Sequence, residues 1–125
     1  MKIIVVLARM LLGLVFLVMG LNGFLNFIPA PPPTGLAAAF TNVLFASHYS
    51  IFVFGVQVIA GAMLLTNQFV LLALAVLAPV LANILVFHVT MLLSGLPPAL
   101  FVTLLWIIVF LPLRSHFAPL FARNT

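Results

Sequence analysis

The charged residues of this chain are too few to make a surface that faces water. The 125 residues contain 4 Lys and Arg and no Asp or Glu, so 3% of the chain is charged while 67% is hydrophobic. Soluble domains carry roughly 25% charged residues, and those side chains lie almost entirely on the surface. We therefore expect the exterior of this protein to face lipid.

The same composition excludes several kinds of chemistry. Because Asp and Glu do not occur in the sequence, the side chains offer no carboxylate proton relay, no acid/base pair of carboxylates and no Asp/Glu metal cage. Because Cys does not occur either, thiolate zinc sites, iron–sulfur clusters and disulfides are excluded. Composition therefore defines the class of protein more closely than it defines the function.

Four apolar stretches are long enough to cross a bilayer, which takes about 20 helical residues. They are residues 4–28, 43–65, 69–93 and 98–117. Proline-rich or polar segments separate them, at residues 29–35, 66–68 and 94–98. Connections this short make neighbouring helices antiparallel. The sequence therefore predicts one all-α transmembrane domain over residues 1–125, an integral membrane four-helix bundle with up-down-up-down topology.

A short additional helix is expected between the proline-rich loop and the second span. Leu36, Phe40, Val43 and Leu44 recur at helical spacing, and Thr34 precedes them as a candidate N-cap. We interpret this segment as an interfacial helix that leads into the second span, in preference to a re-entrant lid.

The positive residues indicate the orientation in the membrane. Lys2 and Arg9 lie near the start of the chain and Arg114 and Arg123 near its end, whereas the other loops have none. Positive residues concentrate on the cytoplasmic side, so both termini are predicted to be cytoplasmic, which an even number of spans also requires. We expect these residues to attract anionic lipid headgroups; they are too few and scattered to indicate nucleic-acid binding.

Polar side chains at membrane depth are the candidates for function, because placing them in hydrocarbon is costly. The candidates for ligand contact are Asn22, Asn83, His88, Gln57 and Arg9. Counted at about 1.5 Å per residue, Asn22, His48 and His88 reach a similar depth near the outer side. We predict that His88 points into the bundle toward Asn22, and that Asn83 makes an interhelical hydrogen bond at mid-depth.

Structural interpretations stand beside these functional ones. Asn22 and Asn83 can simply join helices by hydrogen bonds, and His48 can be an interface residue. His48 and His88 are the only pair that could ligate a haem, but cytochrome ligands usually lie deeper, so no haem is expected. Gln57 and Arg9 lie toward the cytoplasmic half.

Arg9 raises an electrostatic question. Its guanidinium stays charged in proteins, and the sequence contains no acidic side chain to pair with it. The partners open to it are a lipid phosphate, backbone carbonyls, Gln57, another subunit, or an anionic or carbonyl-bearing ligand. A lipid phosphate near the cytoplasmic face is the favoured partner.

Three parts of the chain together resemble the DoxX-like family of small four-helix bacterial membrane proteins. They are ARMLLGLVFLVMGLNGFLNFIP at residues 8–29, APVLANILVFH at residues 78–88 followed by SGLPPAL, and HFAPLF at residues 116–121. The resemblance implies a four-helix bundle of the bacterial inner membrane. The family takes its name from a subunit associated with a quinone-linked sulfur oxidoreductase. Members often have a Glu in the second span where this chain has Gln57, so a role for that acid does not carry over.

The functional hypothesis is a DoxX-like accessory subunit of a redox or respiratory membrane assembly, without catalytic activity of its own. A bundle cavity lined by Asn22, Asn83 and His88 would contact a quinone or a lipid; no other cofactor and no metal is expected. The expected partners are bilayer lipids, anionic lipids, redox-complex subunits and a second copy of the chain.

Two alternatives come from other classes. The first is a small oligomeric transporter or channel, although proton coupling normally uses a membrane carboxylate. The second is a quinone-reducing enzyme, which would have to take its redox centre from a partner.

Overall fold

The protein is helical throughout the range that the computed structural model describes, residues 2–124. The α-helices are α1 (Lys2–Leu25), α2 (Gly35–Ala46), α3 (Tyr49–Leu65), α4 (Val70–Thr90) and α5 (Leu96–Phe110). Short 3₁₀ segments cover Leu93–Gly95, Leu111–His116 and Ala118–Phe121. The predicted all-α class is confirmed for these residues, among which there is no strand.

Within residues 2–124, three helical units are long and apolar enough to cross a membrane. They are α1, α4 and the run Leu93–His116, which joins α5 to its flanking 3₁₀ turns. The second predicted span is different. Helix α3 has 17 residues, which is the lower limit for a span. Helices α2 and α3 are long and apolar enough to cross a membrane only when they are taken together, and their axes differ by 89°.

The expectation of a continuous second span over residues 43–65 is wrong at its start. The helix breaks at Ser47 and His48, so Val43 belongs to α2 and the next helix begins at Tyr49. His48 has a φ of 63°, in the left-handed region that ends a right-handed helix. The Ser47 hydroxyl accepts a hydrogen bond from the Tyr49 N–H at 3.3 Å. The expected short helix is present, but the Thr34 side chain makes no capping bond to it.

The ends of the other helices also have local causes. Helix α1 stops at Leu25, three residues before the predicted 28, because Asn26 adopts a φ of 52°. Helix α5 gives way to a 3₁₀ segment at Leu111. Pro112 has no N–H to donate to the carbonyl of Ile108, so the α-helical pattern cannot continue there.

Helices α1 and α3 are antiparallel and pack with their backbones almost touching. A methyl group added at Gly61 would lie 2.6 Å from the Leu17 nitrogen and 2.7 Å from the Gly13 oxygen. One added at Gly20 would lie 3.0 Å from the Phe54 oxygen. Small residues thus bring the two helices together, as in other membrane helix pairs.

The buried core lies toward one end of the molecule. Helices α4 and α5 complete the packing, because α4 contacts α3 and α5, and α5 contacts α1. The largest fully buried side chains are Leu12, Leu64, Leu74, Leu77 and Val109. All five lie in the half near the 66–69 turn, which we call the turn end. The opposite end, which holds the 29–34 loop and Leu93–Gly95, is called the loop end.

The exterior is extensive and apolar. The chain has an accessible surface of 8334 Å², whereas a soluble monomer of this mass exposes about 6,500 Å². Large hydrophobic side chains are exposed on all five α-helices, for example Ile3, Val43, Phe52, Leu72 and Leu104. Such a surface fits a lipid environment and not water.

Candidate functional site

The polar residues predicted for ligand contact do not meet at one place. Asn22 and His88 lie at the loop end, Asn83 lies on the outside of α4, Gln57 lies in the interior, and Arg9 lies at the turn end. The expected cavity lined by Asn22, Asn83 and His88 is therefore not formed by the described residues. The individual sites differ in chemistry and are described in turn.

Gln57 is the most deeply buried of the five candidates. Its side chain is 6% exposed, and it makes no hydrogen bond to any of residues 2–124. No fully enclosed polar side-chain atom in that range lacks a partner, so the Gln57 amide retains a small opening to its surroundings. That opening gives the polar group of a ligand access to the amide.

The position of Gln57 on α3 directs it toward the middle of the helix assembly. Gly61 and Val58 form the edge of α3 that packs on α1, and Ala60 and Met63 border α4. At 100° per residue, Gln57 falls between these two edges. It also lies seven residues, or about 10 Å, from Leu64 toward the loop end.

Ser50 shares the buried face of α3 and was not among the predicted site residues. It is 7% exposed, lies two helical turns before Gln57, and its hydroxyl makes no hydrogen bond to residues 2–124. Helical Ser commonly donates to the carbonyl four residues earlier, but the break at His48 removes that option. The seven-residue spacing from Gln57 was the signal available in the sequence.

The tautomer of His88 follows from its contact with its own helix. Its Nδ1 lies 2.8 Å from the Ile84 carbonyl oxygen. A carbonyl only accepts, so Nδ1 must donate, and the neutral ring then presents Nε2 as an acceptor. The ring packs edge-on against Phe87 at 5.1 Å and covers Gly95, where a methyl group would collide with it. Nε2 is thus the acceptor atom of the ring, and it lies on the side that faces Gly95.

Asn22 has a structural role at the end of α1. Its Oδ1 accepts a hydrogen bond from the Ile28 N–H at 2.7 Å, which turns the chain into the proline-rich loop. The described residues contain no hydrogen bond between Asn22 and His88, whose ring contacts Ile84, Phe87 and Gly95; that His88 points toward Asn22 stays a prediction. His48 is exposed at the break between α2 and α3, where its left-handed backbone sets the bend.

The predicted interhelical hydrogen bond of Asn83 is wrong for the described residues. Asn83 is exposed, and its side chain bonds to none of residues 2–124. Helix α4 buries the face that holds Leu74, Leu77 and Leu81. Asn83 is two residues, or about 200°, from Leu81, so it points away from the other helices of its own chain.

Arg9 binds the end of α3. Its Nη1 donates to the Leu64 carbonyl oxygen, one of the last carbonyls of that helix, where a cation also interacts favourably with the helix dipole. Of the partners open to Arg9, a backbone carbonyl is thus the observed one. Gln57 lies about 10 Å further along α3 and is not bonded to Arg9.

Trp106 makes a second interhelical contact at the turn end, and sequence reasoning missed it. Its indole Nε1–H donates to the Leu74 carbonyl oxygen at 3.0 Å, and its ring stacks on Phe110 at 4.9 Å. Trp106 is the single Trp of the chain. A buried indole usually finds an acceptor, so its place in an apolar span was the available signal.

A groove of about 160 Å³ runs between α3 and α4 near the turn end. Its lining is entirely apolar: Val56, Ile59, Ala60, Met63, Leu72, Ala73 and Val76. Such a groove suits a hydrocarbon chain and offers nothing to a polar headgroup.

Comparisons with family models, with curated proteins and with solved structures gave no significant match to this chain. The functional argument therefore rests on the geometry of the polar groups described above.

Proposed function

We propose that this chain is a DoxX-like integral membrane protein that holds a lipophilic, carbonyl-bearing molecule such as a quinone at Gln57. In this proposal it serves a redox or respiratory assembly as an accessory subunit and has no catalytic activity of its own. The supporting observation is the Gln57 side chain, a polar group that is 6% exposed among apolar helices and whose amide keeps an opening to its surroundings.

The chemistry of an amide suits holding better than catalysis. Its N–H groups donate to a quinone carbonyl, and its oxygen accepts from the hydroxyl of the reduced form. Because a carboxamide does not titrate, it binds either redox state without moving a proton.

The proposed setting is the bacterial inner membrane, with both termini cytoplasmic and four spans in up-down-up-down order. The turn end, where Lys2 and Arg9 lie, would then face the cytoplasm, in agreement with the positive-inside rule. The bent α2–α3 pair would supply the second span. A reporter active only outside the cytoplasm, fused after Thr125, is expected to give no signal; a strong signal would reverse this orientation.

A transporter or channel has less support from the fold. The turn end is closed by the fully buried side chains of Leu12, Leu64 and Leu74. A single copy therefore offers no polar path through its centre at that level. This closure favours a site that opens toward the loop end or laterally to lipid.

The test is retention of quinone by the purified protein. The wild type, Gln57→Leu and Gln68→Leu are extracted in mild detergent, and their bound quinones are measured by mass spectrometry. Gln68 is a matched control because it is exposed in the turn. Gln57→Leu should lose the quinone and keep the stability of the wild type, because no hydrogen bond to residues 2–124 is removed.

The outcomes separate a binding role from a structural one. If Gln57→Leu unfolds the protein, the amide has a structural partner and the proposed site is wrong. If the wild type retains no quinone after reconstitution with added ubiquinone or menaquinone, the ligand class is wrong. If Gln57→Leu and Gln68→Leu retain quinone equally, the ligand lies elsewhere.

A further inference from the structure

One outward face of α4 has the residue spacing of a coiled-coil seam. Its members are Leu72, Val76, Pro79, Asn83, Val86 and Thr90, and all six are exposed. The intervals between them alternate between four and three residues, which is the 3.5-residue period that two supercoiled helices share. We call this set the α4 seam. Two of its members, Leu72 and Val76, also line the edge of the groove between α3 and α4.

Asn83 occupies the position in the α4 seam that matters most for pairing. The spacing assigns Val76, Asn83 and Thr90 to a positions, and Leu72, Pro79 and Val86 to d positions. A single Asn at an a position specifies register and two-strandedness in parallel coiled coils. In the middle of a membrane span, an Asn side chain that faces lipid is costly, and Asn83 has no partner within residues 2–124.

A second copy of the chain satisfies this side chain by symmetry. Copies inserted in the same direction are related by a two-fold axis along the membrane normal, so each residue meets its equivalent at the same depth. An amide carries both donors and an acceptor, so two Asn83 side chains can exchange hydrogen bonds. Ala75 and Ala82 flank the seam with small side chains, which allow close approach of helices in lipid.

We infer that the protein forms a parallel homodimer through the α4 seam, with the two Asn83 amides hydrogen-bonded to each other. The interface is separate from Gln57, which lies on the buried face of α3. Dimerisation therefore does not depend on the ligand proposed above.

Cysteine crosslinking in membranes tests the interface without a background, because the chain has no Cys of its own. Val76→Cys and Val86→Cys place a thiol on the seam, and Ala78→Cys and Val89→Cys place one off it. Val86 and Val89 are 60% and 59% exposed, so they are matched in access. A disulfide needs Cα atoms within about 7 Å, so mild oxidation should give dimers for the seam pair and several-fold fewer for the other pair.

Variants of Asn83 test the hydrogen bond itself. In the Val86→Cys background, Asn83→Ala should weaken self-association in lipid vesicles by about 3- to 30-fold, the usual range for an interhelical polar contact. Asn83→Gln should retain most of it, and Asn42→Ala, an exposed Asn on α2, should change nothing.

Three results would overturn the inference. The first is crosslinking that is equal at seam and off-seam positions. The second is the absence of crosslinks at all four positions, which would leave Asn83 facing lipid or another protein. The third is unchanged association in Asn83→Ala.

Discussion

The polar side chains at the two ends of the molecule differ in their hydrogen-bond partners. At the turn end, the polar side chains that enter the helix assembly find backbone acceptors: Arg9 donates to the Leu64 carbonyl and Trp106 to the Leu74 carbonyl. Toward the loop end, Gln57 and Ser50 are buried with no hydrogen bond to residues 2–124. The turn end therefore has the features of a structural anchor, and the loop half retains polar capacity for a ligand.

The turn end is also more tightly packed than the loop end. Leu12, Leu64 and Leu74 are fully buried near the turn, whereas the loop end has an exposed Pro-rich segment and the helix α2, which contacts the rest chiefly through α3. Membrane proteins usually place functional polar groups where packing leaves access. The comparison teaches that stability and binding can be altered separately in this chain, and the following substitutions test that separation.

The largest effect is expected from Gly61→Ala, in the close contact of α1 and α3. The added methyl would lie 2.6 Å from the Leu17 nitrogen, which belongs to rigid backbone. We expect a loss of about 1–3 kcal/mol in the free energy of unfolding in detergent, as for other overpacked sites.

Gly55→Ala is the matched control on the same helix, since a methyl there meets nothing within 4 Å. It should stabilise by up to about 1 kcal/mol through helix propensity. Equal effects of the two substitutions would show that the α1–α3 contact is looser than described.

Arg9→Leu should have the next largest effect. It removes a charged donor from the Leu64 carbonyl, and we expect a loss of about 1–2 kcal/mol in unfolding free energy, with a smaller loss for Arg9→Lys, which keeps the charge. The sequence favoured a lipid phosphate as the partner of Arg9 and left a backbone carbonyl open as an alternative. Arg123→Leu, which removes an exposed cation near the end of the chain, controls for net charge.

Lipid content separates the two roles of Arg9. One of its five N–H donors is used by Leu64, so the others remain able to bind a lipid phosphate. Native mass spectrometry should show less anionic lipid on Arg9→Leu than on Arg123→Leu. Unaltered stability together with unaltered lipid content would contradict both roles.

The smallest effect on stability is expected from His88→Phe at the loop end. The ring sits at the surface edge of the assembly and bonds only its own helix within residues 2–124, so the loss should stay below about 1 kcal/mol. Retention of quinone should stay unchanged, because His88 lies against Gly95 at the loop end and the proposed site is at Gln57. A loss of several kcal/mol would show that the loop end is as structural as the turn end.

Several features of the fold were predictable because they depend on local sequence. The apolar runs and the Pro-rich and polar breaks placed α1, α4 and the run of α5 with its following 3₁₀ segment (Leu96 to His116) to within three residues. The break at Ser47 and His48 was not predictable, since neither Gly nor Pro marks it; the left-handed conformation of His48 is set by how α2 folds across the assembly. The acceptor of Arg9 was also not predictable, because no sequence pattern marks a backbone carbonyl that accepts a hydrogen bond from another helix.

The sites illustrate the same division. Gln57 was identified as a candidate from its residue type, but its burial without a partner appeared only in the fold. Asn83 was expected to face inward and faces outward. Because α4 carries apolar residues on every face, the hydrophobic pattern does not predict which face of the helix is buried.

The sequence by itself determined that this chain is helical, apolar and without carboxylate or thiol chemistry, because those properties follow from composition and the spacing of breaks. Only the tertiary structure decided which face of each helix is buried, where Arg9 finds an acceptor, and which amides remain unpaired. The physical reason is that lipid and protein interior are equally apolar to a Leu side chain. Helix pairing then depends on backbone contacts at small residues such as Gly13 and Gly61, and a one-dimensional pattern does not encode these contacts.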